Sequence, residues 1–226
     1  MTVLATTRRV AVLALAALSL AACSGGGSKS AVGTDQDVSL GDPKAPVQVL
    51  EYASPTCPHC ARYNADDFPA LKKQYIDTGK VHYVFRETPI HPSLDGPAFL
   101  LARCVSKDKY FNVIDAIMRG QSEYYAPSVV NGPNSDEAIS QAFRSVLLRT
   151  AESQGLSDDQ AMKCMSDPAT ATKLSDRVEA EAKQYDVNST PTFIVNGKKV
   201  AQPDGQEMSN ALVFPAINQA LAQKKG

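Results

Sequence analysis

Two cysteines separated by two residues, in the motif Cys57-Pro58-His59-Cys60, are the side chains best suited to chemistry in this chain. The motif follows a run of residues that favour β-strands, and a helix is predicted to begin within the motif. Thiols at this spacing can face each other across a first helical turn and form a small-loop disulfide. Unpaired backbone N–H groups and the helix dipole lower the pKa of a thiol at that place. We therefore predict Cys57 as the nucleophile and Cys60 as its resolving partner.

The two residues inside the motif predict how the thiolate is tuned. The charge or N–H donors of His59 would favour the Cys57 thiolate, which stabilises the reduced form and makes the disulfide more oxidising. Pro58, in the first helical turn, would shape the backbone donors around the sulfur. Two alternatives remain open. His59 could be an ordinary exposed histidine, or the two thiolates with His59 could bind zinc or copper, although a second close pair of ligands is missing.

A carboxylate, Glu51, lies six residues before Cys57 in the predicted strand Val47–Tyr52. If it is buried beneath the disulfide, its pKa is raised and it can exchange a proton with Cys60 as a mixed disulfide resolves. The alternative is that Glu51 faces solvent on the polar side of the strand.

The first residues are predicted to form an export signal. Arg8 and Arg9 precede an apolar run that ends in Leu20-Ala21-Ala22-Cys23. This segment resembles a bacterial lipoprotein signal, which implies removal of residues 1–22 and acylation of Cys23. Residues 23–37 are rich in glycine and serine and predict a flexible tether to the lipid anchor. An ordinary secretory peptide is the alternative, and with either one the protein leaves the cytoplasm.

Composition excludes some classes of function. The formal net charge is −1, and 43% of the residues are hydrophobic. Basic residues are scattered among acidic ones, so no nucleic-acid partner is predicted. A chain of this length can bury one core, with or without an inserted domain.

The periodicity of apolar residues predicts the order βαβ, several helices, then ββα. Strands are predicted at Val38–Leu40, Val47–Tyr52, Val81–Glu87, Thr192–Val195 and Lys198–Val200. Asn196-Gly197 favours a two-residue hairpin turn between the last two strands. The helical part includes a segment for which Ser135 is the predicted N-cap. A final helix is predicted from about Met208 to Gln223.

That order, with a cysteine pair at the start of the first helix, resembles an α/β thioredoxin-like fold with an inserted helical domain. More narrowly, the mature sequence resembles the DsbA family of bacterial thiol–disulfide oxidoreductases. Three matches carry the resemblance: the Cys57–Cys60 motif, the acidic Glu51, and Thr190-Pro191 before the last strand pair. On this basis the thioredoxin-like domain comprises residues 38–95 and 187–226, and the helical insert comprises residues 96–186.

The resemblance implies a role for the loop that contains Pro191. In the family this proline has a cis peptide bond and faces the disulfide, where an extended substrate can pair with backbone groups. A trans proline that opens a strand is the alternative. Thr190 departs from the valine common in the strongest oxidases and matches isomerase-like relatives, so the redox potential stays open.

Cys104 and Cys164 both lie in the predicted insert. Some relatives carry a second disulfide in the helical domain, and two remaining cysteines in an oxidising compartment are expected to pair. We predict a structural disulfide, with two buried free thiols as the alternative.

The resemblance implies a periplasmic enzyme that donates its Cys57–Cys60 disulfide to reduced or unfolded exported proteins. It also implies recharging by a membrane quinone reductase of the DsbB type, close to a protein tethered through Cys23. The thiols carry the chemistry, so no bound cofactor and no metal is expected. A disulfide isomerase or reductase with the same fold, and a tethered metal-binding protein, are the alternatives.

Overall fold

A computed structural model describes residues 36–224 of the protein. The predicted signal peptide, the lipidation site Cys23 and most of the predicted tether lie outside the described residues.

A mixed sheet of five strands forms the centre of the molecule. The strands are β1 (Val38–Leu40), β2 (Val47–Ala53), β3 (Val81–Glu87), β4 (Thr192–Val195) and β5 (Lys198–Lys199). Their order across the sheet is β1-β3-β2-β4-β5. β2 and β3 are parallel, whereas β1 pairs with β3, and β4 with β2 and β5, in antiparallel orientation. The active motif follows the carboxyl end of the central strand β2.

Helices make up most of the remaining chain. They are α1 (Pro58–Asp66), α2 (Phe68–Leu71), α3 (Pro92–Cys104), α4 (Tyr110–Arg119), α5 (Gln121–Tyr124), α6 (Pro127–Val130), α7 (Ser135–Ser153), α8 (Asp158–Met165), α9 (Pro168–Gln184) and α10 (Asn210–Gln223). A π-helical turn, Lys72–Ile76, continues α2, and a 3₁₀ turn, Lys107–Lys109, precedes α4. The fold class predicted from the sequence, a thioredoxin-like α/β fold with a helical insertion, is confirmed.

The two faces of the sheet are buried differently, because side chains alternate along each strand. Val49, Tyr83 and Phe193 belong to the main core, which the helices of the insert share. Leu50 and Ile194 belong to a smaller cluster on the opposite face, with Tyr185 and Val187 packed against it. Glu51 has the alternation of the main core, and this register decides its burial.

A buried ion pair and a disulfide fasten the helical insert. Arg103, at the end of α3, donates from Nη2 to Glu87 Oε2 of β3 at 2.7 Å. Tyr110, the first residue of α4, donates to Glu87 Oε1 at 2.7 Å. Cys104 is bonded to Cys164 of α8, with the two Cα atoms 6.1 Å apart. The sheet, α3, α4 and α8 therefore form one connected unit.

Several boundaries differ from those predicted. The domain boundary after residue 95 falls inside α3, which begins at Pro92, a residue favoured at the first helical position. Asp37, at the end of the predicted tether, is fixed to the fold by ion pairs with Arg86 at 2.8 Å and Arg177 at 2.6 Å.

The prediction of Ser135 as an N-cap was wrong. Asn134 is the cap residue of α7, and Ser135 is already helical. Asn134 has a left-handed backbone with φ of 57°, a conformation that asparagine tolerates better than most residues. The hydroxyl at position 135 is therefore one residue too late to cap the helix.

Candidate active site

Cys57 is the N-cap residue of α1, and Pro58 is the first helical residue. Proline suits this position because its missing N–H has no partner in a first turn anyway. The backbone N–H of Cys57 donates to Ser54 O at 3.2 Å, which closes the turn that leads from β2 into the helix. Cys57 and Cys60 both carry free thiols and are buried, with Cys57 3% exposed. The sulfur of Cys57 thus lies at the positive end of a helix.

The surroundings of Cys57 stabilise its thiolate strongly. A hydrogen bond from the Cys60 thiol lowers the pKa of Cys57 to about 5, helped by the Thr190 side chain and by the backbone N–H groups of Cys60 and His59, against the opposing effect of burial. Burial raises the pKa of Cys60 well above its usual value, and the nearby Cys57 raises it further. The two thiols therefore differ sharply: Cys57 is a thiolate at neutral pH and Cys60 is a protonated donor.

Glu51 is 3% exposed, so the solvent-facing alternative is wrong. Burial raises the pKa of Glu51 to about 7, while a hydrogen bond from Tyr83 opposes the rise. Tyr83 Oη donates to Glu51 Oε2 at 2.6 Å. Charge on Glu51 in turn raises the pKa of Cys60, which shows that the two groups are coupled. A carboxyl with this pKa can both accept and return a proton near neutral pH.

The loop before β4 lies against the dithiol. The Thr190–Pro191 peptide bond is cis. In its protonated form Cys57 Sγ donates to Thr190 O, which lies 3.4 Å away although the two residues are 133 positions apart in the chain. This is the arrangement that the family resemblance implied for the proline loop. The carbonyl of Thr190 is therefore a backbone group beside the reactive sulfur.

The ring of His59 points away from the thiols. Its Nδ1 lies 3.0 Å from Glu207 Oε1, and the His59 side chain is 62% exposed. Glu207 also pairs with Arg62 Nε at 2.6 Å. The contribution of His59 to the Cys57 thiolate comes from its backbone N–H, which lowers the pKa of Cys57. The motif predicts that the charge or the N–H donors of His59 act on Cys57, whereas the structure places its backbone donor at the sulfur.

A buried carboxylate that sequence analysis missed organises the loop before Cys57. Asp95 of α3 is fully buried and accepts hydrogen bonds from Ser54 Oγ at 2.8 Å and from the Thr56 amide at 3.2 Å. Its other oxygen accepts from the amides of Ile90 and His91, each at 2.9 Å. An acidic residue in the first turn of α3 was the only local sign of this role.

The insert also holds the carbonyl groups of the same loop. Gln121 of α5 donates from Nε2 to Pro55 O at 2.8 Å and to Cys57 O at 3.0 Å. Tyr125 donates to Thr56 O at 3.3 Å. Nothing in the local sequence around position 121 indicates these contacts, because they join residues more than 60 positions apart. The insert therefore shapes the backbone that presents Cys57.

Two further features bear on the predicted alternatives. Within residues 36–224, no group of three or more His, Cys, Asp or Glu side chains is placed to hold a metal ion. Among the helices of that same part of the chain, none is sufficiently long and apolar to cross a membrane.

A free dithiol at a helix N-terminus, opposite a cis-proline loop in a thioredoxin-like fold, defines a protein of the thiol–disulfide redox class. The helical insert between β3 and β4 restricts this class to proteins whose thioredoxin-like fold contains such an insert. Comparison with known proteins identifies the family.

A family model described as thioredoxin matches residues 33–213. A protein of Rickettsia conorii named "Putative protein-disulfide oxidoreductase" is 33% identical over 191 residues, which are 84% of this chain and 62% of the relative. The crystal structure of Wolbachia pipientis α-DsbA1 is similar with a TM-score of 0.66 and 26% identity, over 85% of this chain and 94% of that chain. A protein-disulfide isomerase from Novosphingobium aromaticivorans has a TM-score of 0.67 and 26% identity, over 84% and 98% of the two chains.

The chain therefore belongs to the thioredoxin family, and it is similar to DsbA-type thiol:disulfide oxidoreductases within that family. It spans 62% of the length of the Rickettsia conorii relative that it matches.

Proposed function

We propose that the protein donates the Cys57–Cys60 disulfide to reduced or unfolded exported proteins. The observation that carries the proposal is the contrast between the two thiols. The pKa of Cys57 is lowered to about 5, and that of Cys60 is raised. A stabilised thiolate favours the reduced enzyme, and a disulfide whose reduced form is stabilised is a strong oxidant.

The reaction proceeds by two exchanges. A substrate thiolate attacks Cys57 Sγ, the Cys57–Cys60 bond breaks, and its electron pair leaves on the Cys60 sulfur. Glu51, whose charge raises the pKa of Cys60, supplies the proton that this thiolate takes up. A second substrate thiolate then attacks the substrate sulfur of the mixed disulfide and releases Cys57 as a thiolate. Two electrons have moved from the substrate thiols to the enzyme, so no bound cofactor is required.

The proposed location follows from residues outside the described part of the chain. Arg8 and Arg9, the apolar run after them and Cys23 support export and a lipid anchor at a bacterial membrane. In the periplasm a tethered dithiol would be close to a membrane quinone reductase of the DsbB type. That partner would return the electrons of the Cys57–Cys60 dithiol to quinone.

A second candidate function is disulfide isomerisation or reduction. Thr190 before the cis proline, and the similarity to the Novosphingobium protein-disulfide isomerase, favour it. The residues and steps are the same in both functions. They differ in the redox potential, because a reductase, and to a lesser degree an isomerase, must give up the electrons of its thiols more readily than a disulfide donor does and therefore has a lower potential.

The reduction potential of the Cys57–Cys60 pair tests the proposal. The protein is equilibrated in glutathione buffers, and mass spectrometry of alkylated peptides separates this pair from Cys104 and Cys164. A potential near the value of about −120 mV of a strong oxidant supports donation. A potential near the value of about −270 mV of thioredoxin overturns it in favour of a reductase. Exported proteins trapped as mixed disulfides by Cys60→Ser would identify the clients.

A further inference from the structure

The hydroxyl of Tyr83 is a buried hydrogen-bond donor that has no role in the reaction proposed above. Tyr83 lies on β3, beside Glu51 of β2, and donates to Glu51 Oε2 at 2.6 Å. Both side chains are buried, with Tyr83 2% and Glu51 3% exposed. A hydrogen bond to a buried carboxylate fixes the direction in which that carboxylate points.

The ring of Tyr83 is itself held in place. Phe68 of α2 packs on it with ring centroids 5.1 Å apart, and Phe111 of α4 lies on it at 6.0 Å. Burial raises the pKa of Tyr83 well above its usual value, and the adjacent Glu51 raises it further. The phenol therefore stays protonated and remains the donor whether Glu51 is charged or neutral.

Glu51 and Glu87 are both buried glutamates of the sheet, but they have different partners. Glu87 accepts from the guanidinium of Arg103 and from Tyr110. The effects that shift the pKa of Glu51 are burial, the Tyr83 hydroxyl and the charge of Cys57, none of which is a cation. A cation would favour the ionised form strongly, whereas a neutral donor favours it moderately. Tyr83 therefore leaves the carboxyl able to change its protonation state near neutral pH.

A cavity of about 700 Å³ reaches this pair from the side of α1, α2 and α4. Glu51, Tyr83, Phe68 and Phe111 line it, together with polar residues that include Asn64. Its lining includes neither the cysteine motif nor the Thr190–Pro191 loop. The cavity is large enough for several water molecules and has polar partners for them. Solvent can thus reach Glu51 from a side that a substrate on Cys57 does not cover.

The other titratable groups around Glu51 belong to two sets. Cys57, Cys60 and Tyr63 face it from the start and middle of α1, and charge on Glu51 raises the pKa of both Cys60 and Tyr63. The charged residues of the cavity wall are Lys72, Lys107, Asp108, Asp115 and Arg119. Lys72 pairs with Asp77, and Arg119 pairs with Asp115.

We propose that Tyr83 is a positioning residue for disulfide exchange, and that its hydroxyl holds the Glu51 carboxyl between the Cys60 sulfur and the cavity. When the Cys57–Cys60 bond breaks, the proton of Glu51 passes to the Cys60 thiolate, and solvent in the cavity returns a proton to Glu51. In the reverse direction Glu51 takes the proton of the Cys60 thiol, which then attacks Cys57 Sγ and displaces the substrate thiolate. The step rests on the proposed function, but the effect of Tyr83 on Glu51 does not.

Tyr83→Phe tests the proposal, with Tyr110→Phe as the matched control. Tyr110 is also a buried tyrosine that donates to a buried glutamate, at 2.7 Å, but its partner is Glu87. The titration of Glu51 is followed by NMR of ¹³C-labelled glutamate carboxyls. Tyr83→Phe should raise the Glu51 midpoint by about one to two pH units, the size expected for loss of a hydrogen bond to a charged group. Tyr110→Phe should leave that midpoint unchanged.

The same shift should appear in the pH dependence of the rate at which Cys60 resolves a mixed disulfide. The rate at which Cys60 resolves a mixed disulfide of Cys57 with glutathione is measured against pH, and Tyr83→Phe should move its midpoint upward by the same amount. In a Glu51→Gln background Tyr83→Phe should cause no further shift, because the hydroxyl acts through Glu51. A shift that persists there overturns the proposal.

A substitution with the opposite expected effect on the Glu51 midpoint keeps the proposal testable if Tyr83→Phe does not fold. 3-Fluorotyrosine placed at position 83 is a stronger donor of the same shape and should lower the Glu51 midpoint. An unchanged midpoint with either variant, or an equal shift in Tyr110→Phe, overturns the role of Tyr83. Because the carboxyl titration needs no disulfide transfer, it remains informative for a protein that proves not to be an oxidase.

Discussion

At the level of single residues, the two thiols of one motif are made chemically unequal by what surrounds them. The sulfur of Cys57 receives hydrogen bonds from Cys60, from Thr190 and from backbone amides, which lower the pKa of Cys57 to about 5. Cys60 is buried, and this burial raises its pKa. The adjacent Cys57 and the charge of Glu51 raise it further. Position at the helix terminus therefore makes Cys57 the thiolate and Cys60 the protonated thiol.

We expect the reduced protein to show a Cys57 thiolate that titrates near pH 5. Cys60→Ala removes the hydrogen bond that contributes most to lowering the pKa, so the midpoint should rise by about one to two pH units. The rate of alkylation by iodoacetamide against pH measures both values. Cys104→Ala/Cys164→Ala retains the motif and should keep the parent midpoint. A midpoint near the ordinary thiol value of about 8.5 in the parent would contradict this account.

Residue types and spacing predicted the chemical core of the site, because that core is local. Cys57, Cys60 and Glu51 lie within ten residues, on a strand and the helix that follows it. The direction of the His59 ring was not predictable, since Glu207, its partner, lies 148 positions later. The motif therefore limits the roles open to His59, and the contact with the distant Glu207 decides the direction of its ring.

At the level of elements, the sequence predicted all five strands and their order along the chain, because alternation and turn residues are local patterns. It did not predict how the insert supports the active loop. Asp95 reaches Ser54 over 41 positions, and Gln121 reaches Cys57 over 64. Buried polar contacts at such separations leave no periodic pattern. They follow from the placement of α3 and α5 beside the loop between β2 and α1.

The disulfide between α3 and α8 is expected to stabilise the insert substantially. Cys104 and Cys164 are 60 positions apart, and a loop of this size closed by a disulfide contributes about 4 kcal/mol on the chain-entropy estimate. Cys104→Ala/Cys164→Ala should therefore lower the free energy of unfolding by about that amount. Urea denaturation measures the change, in a Cys57→Ser/Cys60→Ser background that removes the redox state of the active pair.

The same double substitution distinguishes the role of the Cys104–Cys164 disulfide from that of the Cys57–Cys60 pair. Alkylation of Cys57 in Cys104→Ala/Cys164→Ala, with the motif intact, should keep its pH midpoint, because the bridge joins α3 to α8 and neither of its cysteines is among the groups that most shift the pKa of Cys57. An unfolding free energy equal to that of the parent would show that α3 and α8 are held by packing alone.

At the level of the whole molecule, the proton affinity of the active site is linked to the stability of the fold. Glu51 has its pKa raised to about 7 in the folded protein by burial, from an ordinary value near 4.5. The folded state therefore binds this proton more tightly than the unfolded chain does. The stabilisation is complete below the unfolded pKa and is lost as the pH rises through the folded value. The buried carboxyl of Glu51 thus makes the fold less stable in alkaline solution.

Glu51→Gln should remove this dependence. The amide oxygen can still accept from Tyr83, but no charge has to be buried, so the variant should be more stable than the parent at pH 8. The expected gain is about 3 kcal/mol, from a shift of about 2.5 pKa units at 1.36 kcal/mol each. At pH 4, where Glu51 is protonated in both states, the two proteins should differ little. Urea denaturation at pH 4, 6 and 8 measures the difference, with both proteins in the same redox state.

Glu152→Gln, on the exposed side of α7, is the control, because an exposed carboxylate gains nothing from losing its charge. Its unfolding free energy should follow that of the parent at each pH. If Glu51→Gln is no more stable than the parent at pH 8, then the folded protein accommodates the Glu51 charge without cost. The carboxyl would then be ionised at neutral pH, and the proton that Cys60 receives would have to come from another group. One series of unfolding curves therefore tests both the stability of the fold and the source of the proton.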